Sequence, residues 1–235
     1  MTTNRTIFEV HGSTTRLQYL DLSHNPIGWL NDLSSETLTH LDISYCHLDS
    51  MKPSALINLP SITTLKLTGN SQFDMSIGNL TSRSLQIFEA AYCSLTSPGL
   101  YGLPNVTYAN LRGNKIETLK ERAFLRNKFL VELDLSLNDI QEIHPLAFIG
   151  ARQLAFVNLS SNSLKNTIPW NVFSTNYNLK LLDLSANRLE KVGNLSILGL
   201  EYLDLSHCSI KDIRKDSLTG LPWLMHLNLS YNPLE

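Results

Sequence analysis

One eleven-residue pattern recurs along almost the whole chain and limits what the chain can fold into. Residues 130–140 read L-V-E-L-D-L-S-L-N-D-I, which is the pattern L-x-x-L-x-L-x-x-N-x-L with isoleucine in the last place. Ten copies follow one another at spacings of 21 to 25 residues. They begin at Leu17, Leu38, Ile62, Leu85, Val106, Leu130, Leu154, Leu179, Leu200 and Leu224. Because one such unit cannot bury its apolar side alone, the copies must stack on one another.

A period in the twenties with this apolar order is the signature of a leucine-rich-repeat solenoid. We count offsets within a repeat from its first apolar residue, which is offset 0. Offsets 3 and 5, such as Leu133 and Leu135, alternate with polar neighbours as a half-buried strand requires. We therefore predict an α/β horseshoe with a parallel sheet on its concave face and short helical turns and loops on its convex face. The helical turns are predicted at Ala123-Phe124, Ala147-Phe148 and Val172-Phe173.

The repeats also predict the domain organisation. Residues 17–235 form one leucine-rich-repeat domain of ten repeats, and residues 1–16 belong to part of a preceding repeat. Neither region contains the cysteine cluster that caps many such arrays, and no signal-peptide pattern opens the sequence. We therefore expect the chain to be a segment of a longer array.

Offset 8 carries a polar ladder. It is asparagine in seven repeats and cysteine in the other three, at Cys46, Cys93 and Cys208. Stacked amides can both donate and accept hydrogen bonds where adjacent repeats leave the sheet. The three cysteines lie in repeats that are not neighbours, too far apart for a disulfide. We predict three buried, unbonded thiols.

The concave face is the usual binding surface of such a horseshoe. Offset 2 gives a row rich in apolar and aromatic residues, and offset 4 gives a mostly acidic row. Aromatic side chains on a rigid sheet are typical anchors of protein interfaces. For the aspartates of the LDLS pattern, the sequence favours a solvated role that belongs to the repeat itself. The residues that we predict to contact a partner are Tyr108, Glu132, Asp134, Phe156, Leu181, Asp183 and Tyr202.

Other kinds of site are disfavoured. The formal net charge is −2, and the sequence shows neither a phosphate loop nor a basic patch, which argues against nucleic acid as a partner. No apolar run approaches the roughly 20 residues that span a bilayer, so we expect no direct membrane insertion of this segment. The seven histidines lack metal-ligand spacing, and no G-x-S-x-G elbow is present. We predict no catalytic residues, no metal and no cofactor.

The phrases LQYLDLSHN at residues 17–25 and LNLSYNPL at residues 227–234 resemble the typical class of animal extracellular leucine-rich repeats. Toll-like receptor ectodomains and chaoptin- or connectin-type adhesion proteins are of this class. The resemblance implies an extracellular or cell-surface glycoprotein segment, active in adhesion, signalling or innate immunity, that binds a protein ligand or co-receptor. Six N-x-S/T sequons are candidate glycosylation sites, namely Asn4, Asn79, Asn105, Asn158, Asn194 and Asn228. Asn158 and Asn228 arise from the repeat pattern itself and are therefore discounted as glycosylation signals.

Two alternatives stay open at the level of sequence. Unbonded thiols and the lack of a secretion signal also suit a cytoplasmic leucine-rich-repeat scaffold. A matrix or adhesion protein that forms homodimers would share the same repeats, and light scattering across concentration would separate it from a monomer.

Overall fold

The computed structural model describes residues 7–8, 16–30, 33–52, 54–73, 80–166 and 168–235, with only the backbone given for residues 7–8. Its main feature is a ten-stranded parallel sheet with one strand from each repeat. The strands are β2 (Tyr19–Asp21), β4 (His40–Asp42), β6 (Thr64–Lys66), β7 (Ile87–Glu89), β8 (Tyr108–Asn110), β10 (Glu132–Asp134), β12 (Phe156–Asn158), β13 (Leu181–Asp183), β14 (Tyr202–Asp204) and β15 (His226–Asn228). The predicted solenoid is confirmed.

Neighbouring strands pair with no shift in register. Leu133 lies opposite Ala109 on one side and Val157 on the other, and each of these residues occupies offset 3. Side chains at offset 3 therefore stack behind the sheet, and all three of these are buried. Because the strand period is two, the residues at offsets 2 and 4 must then point to the opposite, concave side.

The asparagines of offset 8 join each repeat to its neighbours. The amide nitrogen of Asn138 donates to the carbonyl of Leu111 in the preceding repeat at 2.9 Å and to that of Leu135 in its own repeat at 3.0 Å. Its Oδ1 accepts the backbone N–H of Ile116 at 3.1 Å. Asn162 repeats the pattern one repeat later. The predicted ladder thus satisfies backbone groups that would otherwise be buried without partners.

Cysteine substitutes for asparagine in this ladder by a different route. The Cys46 thiol donates to the Leu22 carbonyl at 3.1 Å, and the Cys208 thiol donates to the Leu184 carbonyl at 3.2 Å. A thiol has no equivalent of Oδ1, and the main-chain carbonyl of Cys208 instead accepts the N–H of Leu189. All three cysteines are buried and none forms a disulfide, as predicted. Burial raises the pKa of the Cys93 and Cys208 thiols to about 11, which keeps them protonated and unreactive.

The chain leaves the sheet through a left-handed residue at offset 7 in every repeat. These residues have φ between 52° and 78°, a region that costs a non-glycine residue of the order of 1–2 kcal/mol. Their N–H groups continue the lateral hydrogen bonding, as when the N–H of Leu137 donates to the carbonyl of Ser160 at 3.0 Å. The sharp turn is therefore held by the next repeat as well as by local conformation.

The return segments form shorter sheets and tight turns. β1 (Ile7–Phe8), β3 (Trp29–Leu30) and β5 (Ser50–Met51) pair in one small sheet, and β9 (Thr118–Leu119) pairs with β11 (Glu142–Ile143) in another. Leu100–Gly102 form a 3-10 helix. The assignment of residues 1–16 to a preceding repeat stays a prediction.

The three predicted helical turns form a stack of phenylalanines. Phe148 lies 5.1 Å from Phe124 and 4.7 Å from Phe173, measured between ring centroids. Here the backbone makes successive turns closed by i→i−3 hydrogen bonds, for example from the Leu125 N–H to the Arg122 carbonyl. No α-helix forms in these segments. The short return leaves too few residues for an α-helical ladder, because i→i−4 bonds need a longer run than i→i−3 bonds.

The ladder predicts a graded response at Asn138. The Asn138→Ala variant should lose about 2–4 kcal/mol of unfolding free energy, because the Leu111 carbonyl and the Ile116 N–H are left buried without their partner. The Asn138→Cys variant should lose about half as much, because a thiol can still donate to the Leu111 carbonyl. Urea unfolding of the three proteins measures both differences, and equal losses would contradict the role given to the thiol.

Candidate functional site

The strand register brings five of the predicted contact residues into one lateral row. Glu132 lies opposite Tyr108 and Phe156, and Leu181 lies opposite Phe156 and Tyr202. Adjacent strands of a sheet are about 4.8 Å apart, so these side chains lie next to one another as a continuous strip. Asp134 and Asp183 flank the same strip on their own strands, with Asn158 between them. All seven predicted residues therefore lie on a single surface.

This strip is open to solvent and still carries aromatic and apolar groups. Phe156 is 43% exposed, while Tyr108, Leu181 and Tyr202 are half-buried. Burial, together with the carboxylates of Glu89, Asp134 and Glu132, raises the pKa of Tyr108. The Asp204 carboxylate raises the pKa of Tyr202. Both phenols therefore stay protonated; the Tyr202 hydroxyl donates to Asp204 Oδ2 at 3.4 Å, and the Tyr108 hydroxyl can donate a hydrogen bond to a partner.

The acidic row at offset 4 has a structural task at the end of each strand. Asp134 Oδ1 accepts the N–H of Ser136 at 2.8 Å, and Asp183 Oδ1 accepts that of Ser185 at 2.9 Å. Asn158 makes the same bond to the N–H of Ser160. These Asx turns satisfy a backbone donor where the chain bends away from the sheet. The turn uses one carboxylate oxygen, and the charge of the aspartate remains on the concave side.

Charge on the concave face is consequently negative. Offset 4 holds six acidic residues and one lysine, and Lys66 pairs with Glu89 at 3.5 Å. Burial acts to raise the pKa of Asp204. Hydrogen bonds from Ser206, Asn228 and Tyr202 together lower it by more, so the net shift of the pKa is downward. Asp204 is therefore ionised at neutral pH, and the face presents carboxylates between its aromatic groups.

A second aromatic row, at offset 7, was not predicted as a contact surface. Tyr45 and Tyr92 are each 47% exposed, and their rings lie over Gly69 and Gly113 of the following repeats. A Cβ on Gly69 would stand 2.3 Å from Tyr45 Cδ1, and one on Gly113 would stand 2.5 Å from Tyr92 Cδ1. Glycine at these two places therefore makes room for the tyrosine ring. This row could have been found in the sequence, because Tyr45 and Tyr92 both occupy offset 7 of their repeats.

Repeats 1–2 and 9–10 carry the same arrangement of tyrosine and histidine. In the first pair, Tyr19 stacks with His40 at 5.8 Å and His24 stacks with Tyr45 at 4.7 Å. In the last pair, Tyr202 lies 6.0 Å from His226, and His207 stacks with Tyr231 at 4.2 Å. Both pairs thus place rings on either side of the acidic row.

The predicted glycosylation sites differ in their surroundings. Asn194 is exposed on a return segment, whereas the Asn105 amide donates to the Arg83 carbonyl at 2.6 Å. Asn158 and Asn228 lie within the concave sheet. Asn4 and Asn79 lie outside the described residues. Which of these sequons carry a glycan stays a prediction.

Metal sites and membrane spans concern here the described part of the chain, residues 7–8, 16–30, 33–52, 54–73, 80–166 and 168–235. Within it, no group of three or more histidine, cysteine, aspartate or glutamate side chains is arranged to hold a metal ion. No helix there is long and apolar enough to cross a membrane.

Comparison with known families gives matches along much of the chain. A family described as "Leucine rich repeat" matches residues 104–164 and 198–235. A second family of the same description matches residues 16–35 and 37–59. Together they account for more than half of the sequence.

Individual proteins show the same likeness. Tsukushi of Gallus gallus is 31% identical over 191 residues, which are 81% of this chain and 48% of Tsukushi. Toll-like receptor 9 of Mus musculus is 30% identical over 205 residues, 83% of this chain and 17% of the receptor. The solved Toll–Spatzle complex of Drosophila contains a chain with a TM-score of 0.76 at 21% identity, covering 92% of this chain and 31% of that one. The chain spans less than half the length of these relatives.

The Asx turns predict that charge and fold can be separated at offset 4. Asp134→Asn should change the unfolding free energy by less than about 0.5 kcal/mol, because an amide oxygen can accept the Ser136 N–H as it does at Asn158. Asp134→Ala should cost about 1 kcal/mol through loss of that bond. Thermal unfolding of both variants decides the point, and a larger loss for the asparagine variant would mean that the charge itself holds the turn.

Proposed function

The chain belongs to the leucine-rich-repeat family, and we propose that it is a non-catalytic, protein-binding segment of a cell-surface or secreted receptor or adhesion ectodomain. Its likeness to Toll-like receptors and Tsukushi identifies it as a module of the kind found in extracellular receptors and interaction proteins. In this proposal, the chain binds a protein ligand or co-receptor that docks on its concave face.

The continuous strip of Tyr108, Glu132, Phe156, Leu181 and Tyr202 is the observation that carries this proposal. The strands that carry these side chains are hydrogen-bonded to neighbours on both sides, so a partner does not have to order the backbone at an entropic cost. Aromatic residues of this kind contribute most of the binding energy in many protein interfaces.

The acidic row supports a preference among protein partners. Asp134 and Asp183 lie beside Phe156 and Leu181, so a partner meets carboxylates and apolar surface together. A lysine or arginine on the partner can pair with a carboxylate while its aliphatic stem covers the apolar strip. We infer that the bound surface of the partner carries positive charge.

The comparisons support the extracellular proposal over a cytoplasmic scaffold, because Toll-like receptors, Tsukushi and chaoptin are among the similar proteins. The three thiols are compatible with either location, since they are buried in the ladder. Self-association as a homodimer stays a prediction.

Substitution of Tyr108, Phe156 and Tyr202 together by alanine should reduce partner binding at least about a hundredfold, because it removes the anchors of the strip. The immobilised wild-type segment would first capture a partner from the secreted and surface proteins of its source. Surface plasmon resonance with the purified partner then compares the variants.

The matched control replaces two residues of the return side by alanine, Tyr177 and Leu198. Their side chains are 63% and 54% exposed. This control should bind the partner as the wild type does, and both variants are first checked for an intact unfolding transition. Wild-type affinity in the concave variant, or loss in the control alone, would refute the concave-face proposal.

Asn194 should carry an N-glycan in the protein purified from its source, because its amide is exposed and lies away from the sheet. Asn158 should be unmodified, since a glycan there would cover the strip beside Phe156. Mass spectrometry of peptides before and after enzymatic glycan removal measures both sites. A chain with no glycan at any sequon would favour the cytoplasmic scaffold.

A further inference from the structure

A groove between the return segments of repeats 2 to 5 differs in charge from the concave face. It has a volume of about 570 Å³ and is lined by Ile57, Pro60, Ser84, Tyr101, Arg83 and Arg126, among others. This volume falls in the usual range for ligand sites in proteins. We call it the flank groove.

Both charged residues of the flank groove are arginines. Among the described residues, no carboxylate lines the groove, and neither Arg83 nor Arg126 makes an ion pair. The groove therefore carries two guanidinium groups without a carboxylate partner among the described residues. They produce a local positive potential that an anion can neutralise.

Arg126 is held in place before any ligand arrives. Its guanidinium carbon lies 4.0 Å from the centroid of the Tyr101 ring, in a cation–π contact. Its planar N–H fork therefore has a fixed support, and such a fork matches the oxygens of an anionic group in pairs. Thr81 and Ser84 also line the groove, and their hydroxyl groups can exchange hydrogen bonds with a bound ligand.

Arg83 extends the same chemistry along the flank. It also lines a neighbouring depression with Thr63, Gln86, Thr107 and Phe129, and here too no carboxylate belongs to the lining among the residues that the structure describes. The two depressions together form a polar, hydroxyl-rich and cationic path with aromatic groups beside it.

We propose that the flank groove binds a sulfated oligosaccharide. Ile57 and Tyr101 are 63% and 50% exposed, so the groove is open and offers no enclosed space for an acyl chain. Two arginines are too few to retain a nucleic acid, whose binding depends on many phosphate contacts. A sulfated sugar presents separate anionic groups for the two arginines and hydroxyls for the serine and threonine side chains.

Isothermal titration calorimetry with a heparin-derived tetrasaccharide tests the proposal. The unsulfated tetrasaccharide of the same backbone is the ligand control. All proteins are freed of N-glycans enzymatically before the titration, so that no glycan covers the flank and the hydroxyls of Thr81 and Thr107 are kept. The wild-type groove should bind the sulfated sugar and not the unsulfated one.

The double variant Arg83→Gln, Arg126→Gln should weaken binding of the sulfated sugar at least about tenfold, because it removes both cationic groups of the groove. Arg188→Gln removes the same kind of charge from an exposed site in another repeat and should change the affinity by less than about twofold. The variant with alanine at Tyr108, Phe156 and Tyr202 should bind the sugar normally, which separates this site from the concave face.

Three outcomes would overturn the proposal. They are wild-type affinity in the double arginine variant, an equal loss in Arg188→Gln, and arginine-dependent binding of phosphatidylserine vesicles without binding of the sulfated sugar. The second would indicate a general charge effect, and the third would assign the groove to a lipid surface.

Discussion

The buried amide ladder is the interaction on which every exposed surface of this molecule depends. Asn138 donates to the Leu111 carbonyl in one repeat and to the Leu135 carbonyl in the next. It therefore holds the ends of two neighbouring strands in register. A one-residue slip would turn every inward side chain outward and would also break these bonds. The register of the concave residues therefore follows from hydrogen bonds formed behind them.

Most of the fold could be predicted because the period determines it. Apolar residues at offsets 0, 3 and 5 specify the strands, and alternation then specifies which side chains face outward. The concave strip followed from the same rule, so the repeat pattern alone was enough to place Tyr108 and Phe156 on one face. What could not be predicted lies where the period varies. Arg83 and Arg126 come from return segments two repeats apart, and nothing in a local pattern shows that they share a groove.

Two details of the repeat were understood only in part from the sequence. The aspartates of offset 4 read as hydrated surface residues, yet Asp134 and Asp183 each accept a backbone N–H at the strand end. The residue at offset 7 is drawn from many types in the sequence, but its backbone is left-handed in every repeat. In both cases the backbone imposes a requirement that several side chains can meet, and composition alone does not reveal it.

The unshifted register has a further consequence for how such a chain can change length. Each repeat contacts only the repeats before and after it, and it presents the same offsets to both. A duplication of one whole unit would move all later strands by a single strand spacing while every side chain kept its orientation. Insertion of one residue within a strand would exchange inside and outside for the residues that follow it in that strand. Whole-unit duplication is thus a conservative genetic step for this architecture, and the array can lengthen or shorten without a new solution to its packing.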